Sequence, residues 1–104
     1  MDFINVKEDK TMKKTTLDKN ILLGGVMIDN PKYQVVHMNL KKGNQTDAYS
    51  IEKNVLLINI SGNLTVATEE VVENLKEFEV LEIAKGESHV ITCLEDSQVI
   101  AIKI

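Results

Sequence analysis

The most constraining feature of this chain is its punctuation. From residue 21 onward, short apolar runs, several alternating with period two, are closed by turn-forming residues about every ten positions. Side chains alternate across a strand, so such runs bury one face only as β-structure. Residues 21–28 form a run broken at Gly24-Gly25, where a bulge or a close backbone approach is expected. Asp29-Asn30-Pro31 closes it as a turn. Residues 33–40 place Val36, Met38 and Leu40 on one side and Tyr33, Val35 and His37 on the other. The Lys41-Lys42-Gly43-Asn44 turn precedes a weaker strand over 46–51. Residues 55–60 are apolar on both faces, which suits the middle of a core.

Ser61-Gly62-Asn63 carries the chemistry of a hairpin turn between that strand and one over 64–68. Residues 69–77 place Val71, Leu75 and Phe78 at helical spacing, but a β-sandwich needs a loop and a short strand here, and that assignment is adopted. Strands over 78–83, 88–94 and 98–104 complete the set. Lys85-Gly86 and Glu95-Asp96-Ser97 serve as turns, and Ile100, Ile102 and Ile104 share a face. The fold class is all-β, a sandwich or barrel.

A chain of 104 residues suits one domain with one core. Aromatics are 4% of the chain, so Ile, Leu, Val and Met must fill that core. The formal charge of -4 argues against nucleic acid as partner, since phosphate binding needs a basic face. No apolar run approaches the roughly 20 residues of a membrane-crossing helix. The single cysteine, Cys93, has no internal disulfide partner, in keeping with the cytoplasm. Residues 1–20 are polar apart from Phe3, Ile4 and Val6 and are expected to be a tail or an edge strand, with Met12 an alternative start; residues 21–104 form the domain.

Residues 21–104 resemble a small single-domain cupin, an RmlC-like double-stranded β-helix of the jelly-roll type. The first cupin motif is glycine, five residues, His-x-His, three or four residues, glutamate, six residues, glycine. Gly43 and Gly62 stand at its ends, but Tyr49 and Ile51 occupy the histidine positions and Val55 the glutamate position. The second motif, Pro-x-Gly-x-x-His, is matched by Gly86 and His89, with Ala84 at the proline position. Cupin metals are held by three imidazoles and a carboxylate, a set suited to a divalent transition metal. Only one imidazole survives here, and the aliphatic replacements have no lone pair to offer. The resemblance therefore implies a barrel without metal or other cofactor, unless Asp47 or Glu52 enters its mouth.

The resemblance places His89, Tyr49, Ile51, Val55 and Cys93 in the barrel interior as candidate ligand-binding residues. His89 would hydrogen-bond a ligand or carry a proton. His37 is expected to be exposed or cavity-lining. Cys93 lies four residues from His89, about 13 Å along a strand, too far for a catalytic dyad, and is expected to be a small buried side chain. The glutamates at 69, 70, 73, 77, 79 and 82 form a solvated face. The function expected is a metal-free small-molecule-binding or structural module, paired as a homodimer as small cupins commonly are. The alternatives are an isomerase, epimerase or dioxygenase-like enzyme using His89 and Tyr49, and a regulatory partner domain that makes its contact through residues 1–20.

Overall fold

The computed structural model describes residues 12–18 and 20–104. These contain six strands and no helix: β1 (Leu23–Asp29), β2 (Gln34–Leu40), β3 (Val55–Ala67), β4 (Val72–Lys76), β5 (Val80–Ile83) and β6 (Val90–Lys103). All pairings are antiparallel, in the order β1-β2-β6-β3-β4, with β5 also on β3. The described residues before β1 form no strand, and Phe3, Ile4 and Val6 lie outside the described residues.

Two long strands organise the molecule. β3 and β6 pair along their lengths, from Val55 opposite Lys103 to Ala67 opposite Val90. Register shifts at Asn59–Ser61, Ser61–Asn63 and Asn63–Leu64 interrupt the ladder midway. Bulges of this kind bend a strand and increase its twist. Each half then acquires its own neighbours. β5 pairs the first half of β3 at Val55–Ile58, and β2 pairs the second half of β6. β4 pairs the second half of β3 at Asn63–Ala67. One core draws on both halves: Val55, Leu57, Val99 and Ala101 from one, Leu64, Val66, Ile91 and Cys93 from the other. The bent ribbon thus faces itself, the arrangement of a jelly roll.

Ser61-Gly62-Asn63 is therefore not a hairpin, and Glu95-Asp96-Ser97 does not separate two strands; β3 and β6 run through both sites. The local chemistry is the one expected, because a left-handed glycine serves a bulge as well as a turn. The partner decides. Gly62 has φ +94°, and a Cβ there would stand 2.2 Å from Ser97 Oγ and 2.3 Å from Asp96 O. Ser97 Oγ also accepts the Asn63 N–H at 3.0 Å and donates to Glu95 O at 2.7 Å. The two bends are stitched together, and only glycine fits between them.

Residues 46–51 likewise do not form a strand. They contribute only the bridge of Tyr49 to His89, preceded by one of Gln45 to Thr92. Thr46 explains this, since its hydroxyl takes the Ile91 N–H at 2.9 Å in place of a ladder carbonyl. The segment 69–77 is loop then strand, with β4 beginning at Val72. Phe78 falls in the turn before β5 at φ +68°, donating its N–H to Asn59 O, and it is 80% exposed.

Gly62→Ala is expected to lower stability by about 3 kcal/mol, combining overpacking with left-handed strain. Gly43→Ala, also at positive φ but with nothing within 4 Å of the added carbon, should lower it by about 1 kcal/mol. Urea denaturation of the two variants checks the difference, and equal losses would contradict the stitched bend.

Candidate functional site

The alternation of β2, β3 and β6 determines which side chains line the interior. Val36 and Met38 of β2, Val55 and Leu57 of β3, and Ile91, Ala101 and Lys103 of β6 surround a cavity of about 280 Å³. Thr46, Asp47, Ala48, Tyr49 and His89 complete its wall. The apolar members are the ends of rows whose deeper members, such as Leu64 and Val99, are fully packed core. The cavity is thus a continuation of the core toward one end of the barrel, where polar groups converge.

His89 and Tyr49 face each other because their backbones exchange hydrogen bonds, Tyr49 N–H to His89 O at 3.0 Å and the reverse at 2.9 Å. Directly opposed residues of an antiparallel pair put their side chains side by side. Their rings meet edge to face, with centroids 5.8 Å apart and planes at 88°. His89 is buried, and its Nδ1 lies 3.1 Å from the carbonyl of Glu87, to which it donates. That assignment leaves Nε2 as the acceptor nitrogen of the neutral ring. Lys103 Nζ donates to Tyr49 Oη at 3.3 Å and stands 5.4 Å from the ring centroid. The shorter distance to oxygen puts the ammonium at the hydroxyl end of the ring, so the hydrogen bond outweighs any cation–π attraction.

The expected interior residues separate into two groups. Tyr49, Val55 and His89 meet at the cavity. Ile51 does not line it; it packs half-buried against the core, and its carbonyl accepts the Gly86 N–H at 2.8 Å. Cys93 does not line it either. Its Sγ donates to Glu95 O at 2.7 Å beside the bend, as a buried structural side chain. His37 is neither exposed nor in the cavity. It points from the opposite face of β2, 1% exposed, with Nε2 donating to Gln98 Oε1. Gln98 donates in turn to Asn39 Oδ1 at 3.0 Å, and Asn39 donates to Ile21 O at 2.7 Å. The polar chain ends at the Ile21 carbonyl, which takes the Asn39 amide proton.

Lys103 escaped sequence reasoning altogether. It sits one residue out of phase with Ile100, Ile102 and Ile104, in the inward row of Val99 and Ala101. The alternation was visible in the sequence, but two candidate faces were apolar and neither was marked as interior.

The donors present do not fit a cupin metal. Asp47 does line the cavity, whereas Glu52 lies against the Gly86 turn. Among the described residues no three His, Cys, Asp or Glu side chains converge on one point. A carboxylate, one imidazole and a phenol are short of a transition-metal site. What this arrangement offers chemically is an acceptor nitrogen, a hydroxyl and an ammonium at the edge of an apolar chamber.

No family model matches the sequence, and no curated protein matches it. Solved structures do. An RmlC-like cupin family protein with a double-stranded β-helix fold from Methanocaldococcus jannaschii superposes with a TM-score of 0.78 at 19% identity, covering 91% of this chain and 92% of that one. A cupin superfamily protein from Desulfitobacterium hafniense gives 0.76 at 13% identity, covering 86% and 82%. KdgF from a Halomonas species gives 0.71 at 18% identity, covering 77% and 76%. The protein is thus a small single domain with the cupin fold, an RmlC-like jelly roll. At these identities the likeness establishes the fold and leaves the activity open.

Equilibrium dialysis against zinc, manganese, nickel or ferrous iron, followed by elemental analysis, is expected to leave well under one ion per chain. A stoichiometric ion that resists competition by a weak chelator would contradict the donor assignment.

Proposed function

We propose that the protein binds a small organic molecule in the barrel cavity without the help of a metal. One observation carries this reading. A chamber of about 280 Å³ remains open at the end of an otherwise packed core, lined by aliphatic side chains with Lys103, Tyr49 and His89 grouped at its rim. Ligand sites are typically such concave, mainly apolar spaces with a few placed polar groups. Had the role been purely structural, larger side chains at Ala101 or Ala48 would fill the space and stabilise the domain. A proton transfer on the bound molecule is the enzymatic extension, with His89 Nε2 as acceptor and Tyr49 as donor. A dioxygenase-like activity needs a metal-binding donor set that these residues do not form. The setting in this reading is the cytoplasm, consistent with a lone, buried thiol at Cys93.

A thermal-shift screen of small metabolites tests the proposal. A ligand at a hundredfold excess over its Kd should add about 2.7 kcal/mol to stability. Ala101→Leu, which extends a side chain into the chamber, should abolish the shift while preserving the fold. Hits that persist unchanged in that variant, or a complete absence of hits, would contradict cavity binding.

Pairing of two copies is a second proposal with its own observation. The face of the sheet turned away from the core is apolar where water-facing β-sheet is normally polar. Val35, Leu56, Ile58, Ile100 and Ile102, all half-buried, occupy it, and Val80, 59% exposed, lies opposite Ile58. Covering this face is the simplest way to remove it from water. Light scattering is expected to give twice the chain mass, and Val80→Lys is expected to give the single-chain mass. A monomeric parent protein at tens of micromolar would contradict the pairing.

A further inference from the structure

We infer that the cavity selects a small monocarboxylate with an apolar body, its carboxylate held by Lys103 and Tyr49. The inference rests on the reading of the chamber as a ligand site and specifies the chemistry of its occupant. Lys103 is the carrying residue. It ends the inward row of β6 after Val99 and Ala101, so its stem crosses apolar wall before its ammonium reaches the rim. Among the described residues the only ion pair is Lys41 with Asp96, on the surface. Lys103 is therefore a cation at the edge of an apolar space, and its one hydrogen bond goes to a neutral phenol.

That hydrogen bond orients the hydroxyl. Tyr49 oxygen accepts from Lys103, which leaves its own proton to be donated elsewhere. Lys103 retains two further N–H donors. The two groups thus present hydrogen-bond donors from positive and neutral centres 3.3 Å apart, a spacing that one carboxylate can span with its two oxygens. Hydrogen bonds to an ionised acceptor are roughly twice as strong as neutral ones.

The remaining wall argues against the other common ligand classes. A phosphate dianion would find one cation, Lys103, for its two charges. A sugar would leave hydroxyls unpaired against Val36, Met38, Val55, Leu57 and Ile91. A neutral apolar molecule would fill the floor but leave the ammonium unused. The volume equals that of roughly nine waters, so a ligand of on the order of ten non-hydrogen atoms fits. Asp47 on the same wall leaves room for an ammonium on the ligand, which would make it an apolar amino acid; this variant belongs to the same carboxylate chemistry.

Phenylacetate and phenylacetamide match this size and differ only in the carboxylate. Calorimetric titration of the full chain is expected to show phenylacetate binding at least about tenfold tighter than the amide, with the preference shrinking as salt is raised. Lys103→Met should remove the preference by weakening phenylacetate far more than phenylacetamide, and Lys103→Arg should keep part of it; circular dichroism verifies that both variants fold. Equal binding of acid and amide, or a preference that survives Lys103→Met, overturns the carboxylate assignment and leaves the cavity reading standing. Binding of neutral library compounds with neither probe bound does the same. No binding by either probe or by any library compound, with the fold intact, overturns the cavity reading and this inference together.

Discussion

The antiparallel pairing of β3 with β6 is the interaction on which the rest of this structure depends. Both strands are long, and both bend at the same level, where Gly62 lies against Ser97 and Asp96. A straight ribbon of this length would expose one entire apolar face. The bend converts that face into two facing walls, and Leu57 and Ala101 on one side then share a core with Leu64 and Ile91 on the other. β2 and β5 widen one wall and β4 the other. The bend is held by a hydroxyl, not by apolar contact: Ser97 Oγ reaches Asn63 N across strands, and the exposed Asp96 carboxylate accepts the Lys42 N–H from the adjoining turn at 2.9 Å.

The cavity is a consequence of the same geometry. Inward rows that are filled near the bend run out of bulk toward the other end, where Ala101 gives way to Lys103. Tyr49 arrives there on a segment that joins the sheet through isolated bridges, one of them to His89 at the foot of β6, because Thr46 Oγ1 takes over a ladder position. The site is therefore built where regular pairing loosens, which leaves backbone free to carry polar side chains inward. His37 marks the contrast. It is 1% exposed, yet it belongs to a polar chain with Gln98 and Asn39 that ends at the Ile21 carbonyl. Each histidine is tied through one ring nitrogen, His37 through Nε2 to Gln98 and His89 through Nδ1 to Glu87 O; what separates them is place, since only His89 lines the cavity.

Much of the fold was legible in the residues. Alternation in 33–40 and 98–104 marked strands, Asp29-Asn30-Pro31 marked a turn, and the spacing of Gly43, Gly62, Gly86 and His89 pointed to the cupin jelly roll. The site was legible only in part. His89 and Tyr49 could be placed near each other through the motif spacing, but Lys103 could not be singled out from Ile100, Ile102 and Ile104, and the interior assigned to Ile51 and Cys93 is packed core, not cavity wall. Periodicity reports that two faces exist; it does not report which of two apolar faces encloses space.

By itself, then, the sequence determined that this chain is all-β and where its turn and bulge glycines fall, and its resemblance to cupins put Tyr49, Ile51 and Val55 where that family carries metal donors. Those properties are local: they depend on side-chain period, backbone freedom and lone pairs, all of which travel with the residue. The tertiary structure alone decided that Gly62 bends a strand and does not end it, that His37 is sealed outside the barrel, and that Lys103, Tyr49 and His89 meet at one rim. Each of these is settled by a partner distant along the chain, Ser97, Gln98 or the opposing backbone, and such pairing energies have no signature in the residues taken in order.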